Sequence, residues 1–384
     1  MNYVRLGDLC VINSGGTPRR NNESYWKNGD IPWVKISDLK NGIVESTEEF
    51  ITLDGLNNSS AKIFPKGTLL YTIFATIGEV AILKMDAATN QAIVGIQLKE
   101  NKKVYLKYIY YYLKSQTNNI KQLGRGVAQN NINLSVVKNM IIPIVSLEKQ
   151  RNIIATLNKL EKIKENRITI LNCLDDLIKS RFDELFLDTH AIEIIEIGEL
   201  FEVGSSKRIL QSELTAYGVP FYRVTDLINR INDKTVDIKQ YVDEFKYMTL
   251  IKDKYVPQAG DFLITARGTI GKIYEVKQND RFYFQDGMIT WLKRKNNYIN
   301  SLFFMELVKT DWFRRQFYSS NNGTTISYLS ITDTRHLKVL LPSINLQKQF
   351  AQEVNQINKL KSDVQKSIDE TQLLMDSLMQ EYFC

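Results

Sequence analysis

Between Leu123 and Ser135 the chain reads LGRGVAQNNINLS, a glycine-flanked run in which Arg125 is followed by Gln129, Asn130 and Asn131. A guanidinium offers two parallel donors that match the paired acceptors on a guanine edge, and a carboxamide offers the donor and acceptor that match adenine. Near the N-terminus, SGGTPRRNN places Thr17, Arg19 and Arg20 on a turn, and WVKISD adds Lys35 and Ser37. The second half of the chain holds a corresponding set: Lys207 and Arg208, Arg223 and Thr225, then Arg267, Thr269 and Lys272. SSNNGTTISYLS completes it with Asn322, Thr324, Thr325 and Tyr328. Cations, hydroxyls and amides on loops suit phosphate positioning and base-edge reading rather than group transfer.

Signatures of other chemistries fail. ARGTIGKI approaches a P-loop, but Ala266 replaces its first glycine and Ile273 its hydroxyl. With His190 and His336 as the two histidines, a helical zinc pair is excluded. Gly-x-Ser-x-Gly is missing, no proline follows Asn or another Pro as in amino-group DNA methyltransferases, and none precedes Asp as in a common nuclease signature. Cys10, Cys173 and Cys384 are too dispersed for a disulfide framework, which suits a reducing cytoplasm. The first residues show no secretory pattern, and no apolar run spans a bilayer, so no membrane partner is expected. A net charge of +7, from 50 basic and 43 acidic residues, favours an acidic partner only through local clustering.

The elements that must carry these loops are written twice. RLGDLCVINSGG from Arg5 returns as EIGELFEVGSSK from Glu196, and IPWVKISDL from Ile31 as VPFYRVTDL from Val219. PKGTLLYTIFATIGEVAI from Pro65 returns as QAGDFLITARGTIGKIYE from Gln258, NQAIVGI as QDGMITW, and PIVSLEKQ from Pro143 as PSINLQKQ from Pro342. Collinear matches of this kind indicate two copies of one unit. The copies agree at glycines, prolines and apolar positions and differ at most polar ones, so one fold carries two surfaces.

Each unit divides in two. Residues 1–145 and 188–342 mix short β-rich runs with short helices, which predicts a compact α/β domain. The tyrosine run in VYLKYIYYYLKSQ has helical spacing and reads as core rather than as a base-stacking platform. Residues 146–187 and 343–384 predict two long helices, since neither glycine nor proline occurs from Leu147 to Leu187 or from Leu346 to Phe383, with Ser146 and Asn345 as N-caps. Leu157, Leu160, Leu171, Leu174 and Ile178 mark one apolar seam; Ile357, Leu360, Val364, Leu374 and Leu378 mark the other. Lys164, Arg167, Ser367 and Thr371 interrupt the seams and can fix register. The expectation is an antiparallel coiled coil on the order of 60 Å long, joining two domains about a pseudo-twofold axis.

This duplicated order, with its LGDL-like openings and Pro-x-x-x-Leu-x-x-Gln helix starts, resembles the specificity subunit of type I restriction-modification systems over essentially the whole chain. The resemblance implies that residues 1–145 and 188–342 are target recognition domains and that the long helices are conserved spacers. It implies double-stranded DNA as ligand and two modification subunits as partners, with two restriction subunits completing the nuclease. S-adenosylmethionine would bind the modification subunits, and this subunit would hold no cofactor and no active site. The competing readings are a coiled-coil adaptor that never reads DNA, indifferent to loss of its basic side chains, and an enzyme whose site escapes motif analysis.

Overall fold

The computed structural model describes residues 2–39, 42–100, 103–117, 119–120, 131–188, 192–232, 234–319 and 328–383. The chain forms two compact units, Met1–Thr169 with Gln365–Cys384, and Ile170–Val364. Both are mixed α/β, and each takes part of both long helices.

In the first unit a five-stranded sheet runs in the order Cys10–Ser14, Ile93–Leu98, Leu69–Thr72, Val80–Leu83, Ile43–Val44. Its central strands are apolar on both faces because each face meets a separate core. Leu69, Tyr71, Val80, Val94 and Ile96 point into one core, while Leu70, Ala81 and Ile93 point into the other, as the two-residue period of a strand requires. The second unit repeats this arrangement with Phe201–Gly204, Ile289–Arg294, Phe262–Thr265 and Ile273–Glu275. There Phe262, Ile264 and Leu292 serve one core, and Leu263, Tyr274 and Trp291 the other. Each unit adds a second, four-stranded sheet and a two-stranded ribbon, Asn2–Arg5 with Ile141–Ile144 and Glu193–Glu196 with Lys338–Leu341.

The tyrosine run lies on helix Leu106–Ser115, and Tyr108 to Tyr112 are all buried. Their hydroxyls are satisfied in different ways. Tyr108 and Tyr112 donate to the carbonyls of Pro143 and Ile141 at 2.8 and 2.9 Å, and Tyr111 donates to Glu161 on the first long helix at 2.7 Å. Lys114 and Lys107 reach the same carboxylate at 2.8 and 3.4 Å. Burial pushes the Glu161 carboxyl upward, but Lys114 and then Lys107 and Tyr111 outweigh it and hold the group below the usual carboxylate range.

The long helices span Leu147–Phe182, followed by a π-helical turn Asp183–Leu187, and Ile344–Phe383. Within the first unit they pack antiparallel: Leu157 is buried with Met375, Met379 and Phe383, and Leu160 and Leu378 flank that cluster. Arg167 donates to the Ser367 carbonyl at 2.7 Å and to the Thr371 hydroxyl, and Lys164 donates to Gln372 at 2.6 Å. Arg167 and Thr371 thus meet across the helix pair, while Lys164 is satisfied by Gln372 and Ser367 contributes its backbone carbonyl. Within the second unit Ile178, Phe182 and Phe186 pack with Phe350 and Val354, Ile357 borders them, and Arg181 pairs with Glu353 at 2.8 Å. Leu171, Leu174 and Val364 are half-buried.

Two expected seam positions are wrong. Leu360 and Leu374 are 54% and 50% exposed. The alternation of three and four runs instead through Ile357, Lys361, Val364, Ile368, Thr371 and Met375, one residue beyond each leucine. Lys361 covers its place with an aliphatic stem while its ammonium pairs with Asp175.

Nor is Asn345 the N-cap: the helix begins at Ile344, and the Ser343 hydroxyl accepts from Leu346 N at 3.4 Å, as Ser146 does from Lys149 N at 3.3 Å. The repeated phrase is consequently two positions out of step with the fold. Gln150 corresponds to Gln347, not to Gln349, and both glutamines are completely buried. Gln150 Nε2 donates to the carbonyls of Lys103 and Val145, each at 2.9 Å, and its Oε1 accepts from Tyr105 N at 3.0 Å. Gln347 does the same with Tyr298, Pro342 and Asn300 N at 3.0, 2.8 and 2.7 Å.

Candidate nucleic-acid interface

The two units build a matching turn at the end of a central sheet strand. In the second unit, Thr265 accepts at its hydroxyl from Lys272 N at 3.0 Å and donates to the Thr269 carbonyl, while Gly271 N donates to the Thr265 carbonyl at 2.9 Å. Gly268 and Gly271 take φ of 71° and 77°. A Cβ on Gly271 would lie 2.2 Å from the Phe317 ring, so the helix packed behind the turn demands glycine there. In the first unit Thr72, Thr76, Gly78 and Glu79 repeat every bond, with Glu79 N to the Thr72 hydroxyl at 2.9 Å and Gly78 N to its carbonyl at 3.1 Å. Ala75 there has φ 57°, a costly left-handed conformation for a residue with a side chain.

A segment from further along the chain docks on each turn through an antiparallel bridge, Phe74 with Asn131 and Arg267 with Tyr328. The adjacent backbone bonds, Ile132 N to Ile73 O and Leu329 N to Ala266 O, are both 3.0 Å. The shared TIG sequence is therefore the frame, and the residues that differ project from it. Arg267 is exposed, its guanidinium 4.4 Å from the Tyr328 ring centroid, and no ion pair engages it among the described residues. Thr269 is exposed beside it, with Lys272 half-buried at the end of the same turn.

A second matching place follows the strands Ile31–Val34 and Val219–Tyr222. Lys35 N and Arg223 N donate to Asp38 and Asp226 at 2.8 and 2.9 Å, which turns the chain and presents Ser37 and Thr225 outward. The side chains then diverge. Arg223 rests between neutral amides, donating to Gln240 at 2.6 Å and Gln211 at 3.4 Å, above a cleft also lined by Thr225, Asn229 and Lys239. No ion pair engages Arg223 among the described residues, although Asp226 and Asp237 also line that cleft. Lys35 instead pairs with Glu49 at 3.1 Å and Glu48 at 3.4 Å. Arg20, expected to meet DNA, also pairs with Glu49 and lies 3.8 and 4.6 Å from the Trp26 and Trp33 ring centroids. Partial burial works against the Glu49 carboxylate, yet Arg20 and Lys35 hold it below its usual range.

The remaining expected residues are more scattered. Thr17 donates to Gln91. Arg19 and Arg208 are exposed and make no ion pair among the described residues, and Arg19 also offers its carbonyl to the Trp26 indole at 3.1 Å. Lys207 lies 3.8 Å from Asp253 and 5.4 Å from the Tyr255 ring centroid. Arg125, Gln129, Asn130, Asn322, Thr324 and Thr325 fall outside the described residues; Asn131 and Tyr328 are the described residues that follow them. Glu48, Glu49, Gln211 and Gln240 escaped the sequence reading because no motif marks them, and only sheet pairing brings them to the cations. Among the described residues there is no group of His, Cys, Asp and Glu suited to a metal ion, and no helix is long and apolar enough to cross a membrane.

Residues 1–172 and 191–371 match the family model for the type I restriction modification DNA specificity domain. The type I restriction enzyme MjaIX specificity subunit of Methanocaldococcus jannaschii is 26% identical over 98% of this chain and 90% of its own length. The EcoR124I/EcoR124II specificity subunit of Escherichia coli is 30% identical over 44% of this chain and 42% of its own. Among solved structures, a chain from a study of assembly and conformational transition in the type I R-M system has the same fold, with a TM-score of 0.65 at 16% identity, covering 99% of this chain and 97% of that one. A type I S subunit from M. genitalium superimposes with a TM-score of 0.50 at 20% identity, covering 100% and 96%.

Proposed function

Since the chain belongs to the type I restriction-modification DNA specificity family, we propose that its two units read the two dissimilar halves of a bipartite DNA site. The subunit itself is non-catalytic: it binds DNA and assembles with the catalytic subunits of the complex. In our reading two modification subunits, which bind S-adenosylmethionine and methylate adenine, dock on it, two restriction subunits complete the nuclease, and the paired long helices set the unread gap between the halves.

One observation carries this. The two units repeat the same backbone-to-side-chain hydrogen bonds at the Thr72 and Thr265 turns and at the Asp38 and Asp226 turns, yet carry different side chains beside them. Shared frames with divergent side chains are what two readers of unlike half-sites need.

Exchange of residues 1–145 for the corresponding domain of another specificity subunit tests it, with methylated adenines mapped genome-wide. One half of the motif should change and the other persist. An unaltered motif would leave a scaffold without readout.

A further inference from the structure

The paired turns allow the two heads to be compared position by position. From Thr72 to Glu79 the first turn carries one acid and no cation, whereas Thr265 to Lys272 carries Arg267 and Lys272 and no acid. Where the second unit bridges Arg267 to Tyr328, the first bridges Phe74 to Asn131. The backbone bonds beneath are the same length, 3.0 Å on both sides, so the difference lies wholly in the side chains.

Arg267 differs from Arg20, Lys35 and Lys207 in how it is held. Glu49 neutralises Arg20 and Lys35, and Asp253 lies beside Lys207. Arg267 instead lies with its guanidinium carbon 4.4 Å over the Tyr328 ring centroid, and no ion pair or side-chain hydrogen bond spends its donors among the described residues. Stacking fixes the plane of a guanidinium without consuming its hydrogen bonds. That is the pre-organisation needed by a fork that must meet two acceptors in one plane.

We propose that Arg267, laid against Tyr328, is a specificity-determining residue that takes the paired O6 and N7 acceptors of a guanine in the half-site read by the second unit. Phe74 and Asn131 occupy the same place in the first unit and give that base no advantage there. This deepens the function proposed above and rests on it.

The test uses the complete complex with its modification subunits, scored by methylation motif and by competition binding with DNA substituted one base pair at a time. Arg267→Ala should lower the preference for guanine at one position of one half-site by roughly 5- to 100-fold, leaving the other half unchanged. Arg267→Lys should not restore it, because an ammonium lacks the fork and stacks poorly. Tyr328→Phe should retain the preference, and Tyr328→Ala should weaken it. The gain-of-function pair Phe74→Arg with Asn131→Tyr should create a guanine preference at one position of the other half-site. A uniform loss of affinity across all sequences, with the salt dependence reduced by about one ion, would make Arg267 a phosphate contact and overturn the proposal. So would an unchanged motif in both the Arg267→Ala and Arg267→Lys complexes. Failure of the underlying reading looks different: the unsubstituted complex would then show no sequence preference at all.

Discussion

Truncation of Gln347 should loosen the second unit at the point where the long helix leaves the sheet. The amide makes three hydrogen bonds, to Asn300 N at 2.7 Å, the Tyr298 carbonyl at 3.0 Å and the Pro342 carbonyl at 2.8 Å. The bond to Pro342 is buried, so losing its donor leaves an unmatched carbonyl at a cost of about 1–3 kcal/mol. The other two are partly accessible, water can replace part of each, and each is worth about 0.5–1.5 kcal/mol. Gln347→Ala should therefore destabilise the unit by about 2–6 kcal/mol, and Gln347→Leu by nearly as much, because restored volume does not restore donors. Gln150→Ala should destabilise the first unit by about 1.5–4.5 kcal/mol, since all three of its bonds are partly accessible. Because two units need not unfold together, the assay is amide hydrogen exchange resolved by peptide on the full chain. Protection should fall over Ser301–Lys309 in Gln347→Ala and over Leu106–Ser115 in Gln150→Ala. Gln349→Ala, at the exposed position that the repeated phrase would equate with Gln150, should stay within about 0.5 kcal/mol of the unsubstituted chain. Protection unchanged in both buried variants, or lost in Gln349→Ala instead, would refute the assignment.

Glu161 is held below the usual carboxylate range in the folded state, so its contribution is complete above the unfolded value of about 4.3 and disappears as pH falls through the folded one. Glu161→Gln should accordingly be less stable at pH 7 and show a shallower acid limb in stability measured against pH. Arg20 lies against Trp26 and Trp33 and pairs with Glu49. Arg20→Ala should thus cost about 1–2 kcal/mol of stability and leave the methylation motif intact; an altered motif would show that Arg20 reads DNA after all. In the helix pair, Arg167→Leu with Thr371→Leu should raise the melting temperature, since an apolar pair of suitable volume avoids desolvating a guanidinium. The single Arg167→Leu change should lower it, since it removes the donor that the Ser367 carbonyl and the Thr371 hydroxyl share while that hydroxyl still donates to Ser367.

Much of the architecture was legible because its determinants are local. Glycines at Gly78 and Gly271, the alternating strands and the long stretches without helix breakers each write their consequence within a few residues. The seam was less so. Lys361 and Thr371 lie in it and are polar, whereas Leu360 and Leu374 lie beside it and are apolar, so following hydrophobicity rather than the spacing of three and four led one residue astray. Gln347 shows the same weakness at longer range. The matching Leu-x-Lys-Gln letters align Gln349 with Gln150, but the bonds to Tyr298, Pro342 and Asn300 place the equivalence at Gln347, where the sequence context differs.

The candidate site exposes a different gap between sequence and fold. A count of loop cations gives SGGTPRRNN with Lys35 three in the first unit, yet Glu48 and Glu49, brought in by the pairing of Phe50–Ile51 with Ile31–Val34, pair with Arg20 and Lys35 and leave Arg19. In the second unit the equivalent Arg223 meets Gln211 and Gln240, which fix its direction and leave its charge in place. The charge left unpaired is thus unequal at these two corresponding positions, although their backbones turn alike. Phosphate affinity drawn from free cations depends on salt, so weakening by salt should fall more on contacts made through Arg223 and Lys272 than on those near Lys35 and Glu79.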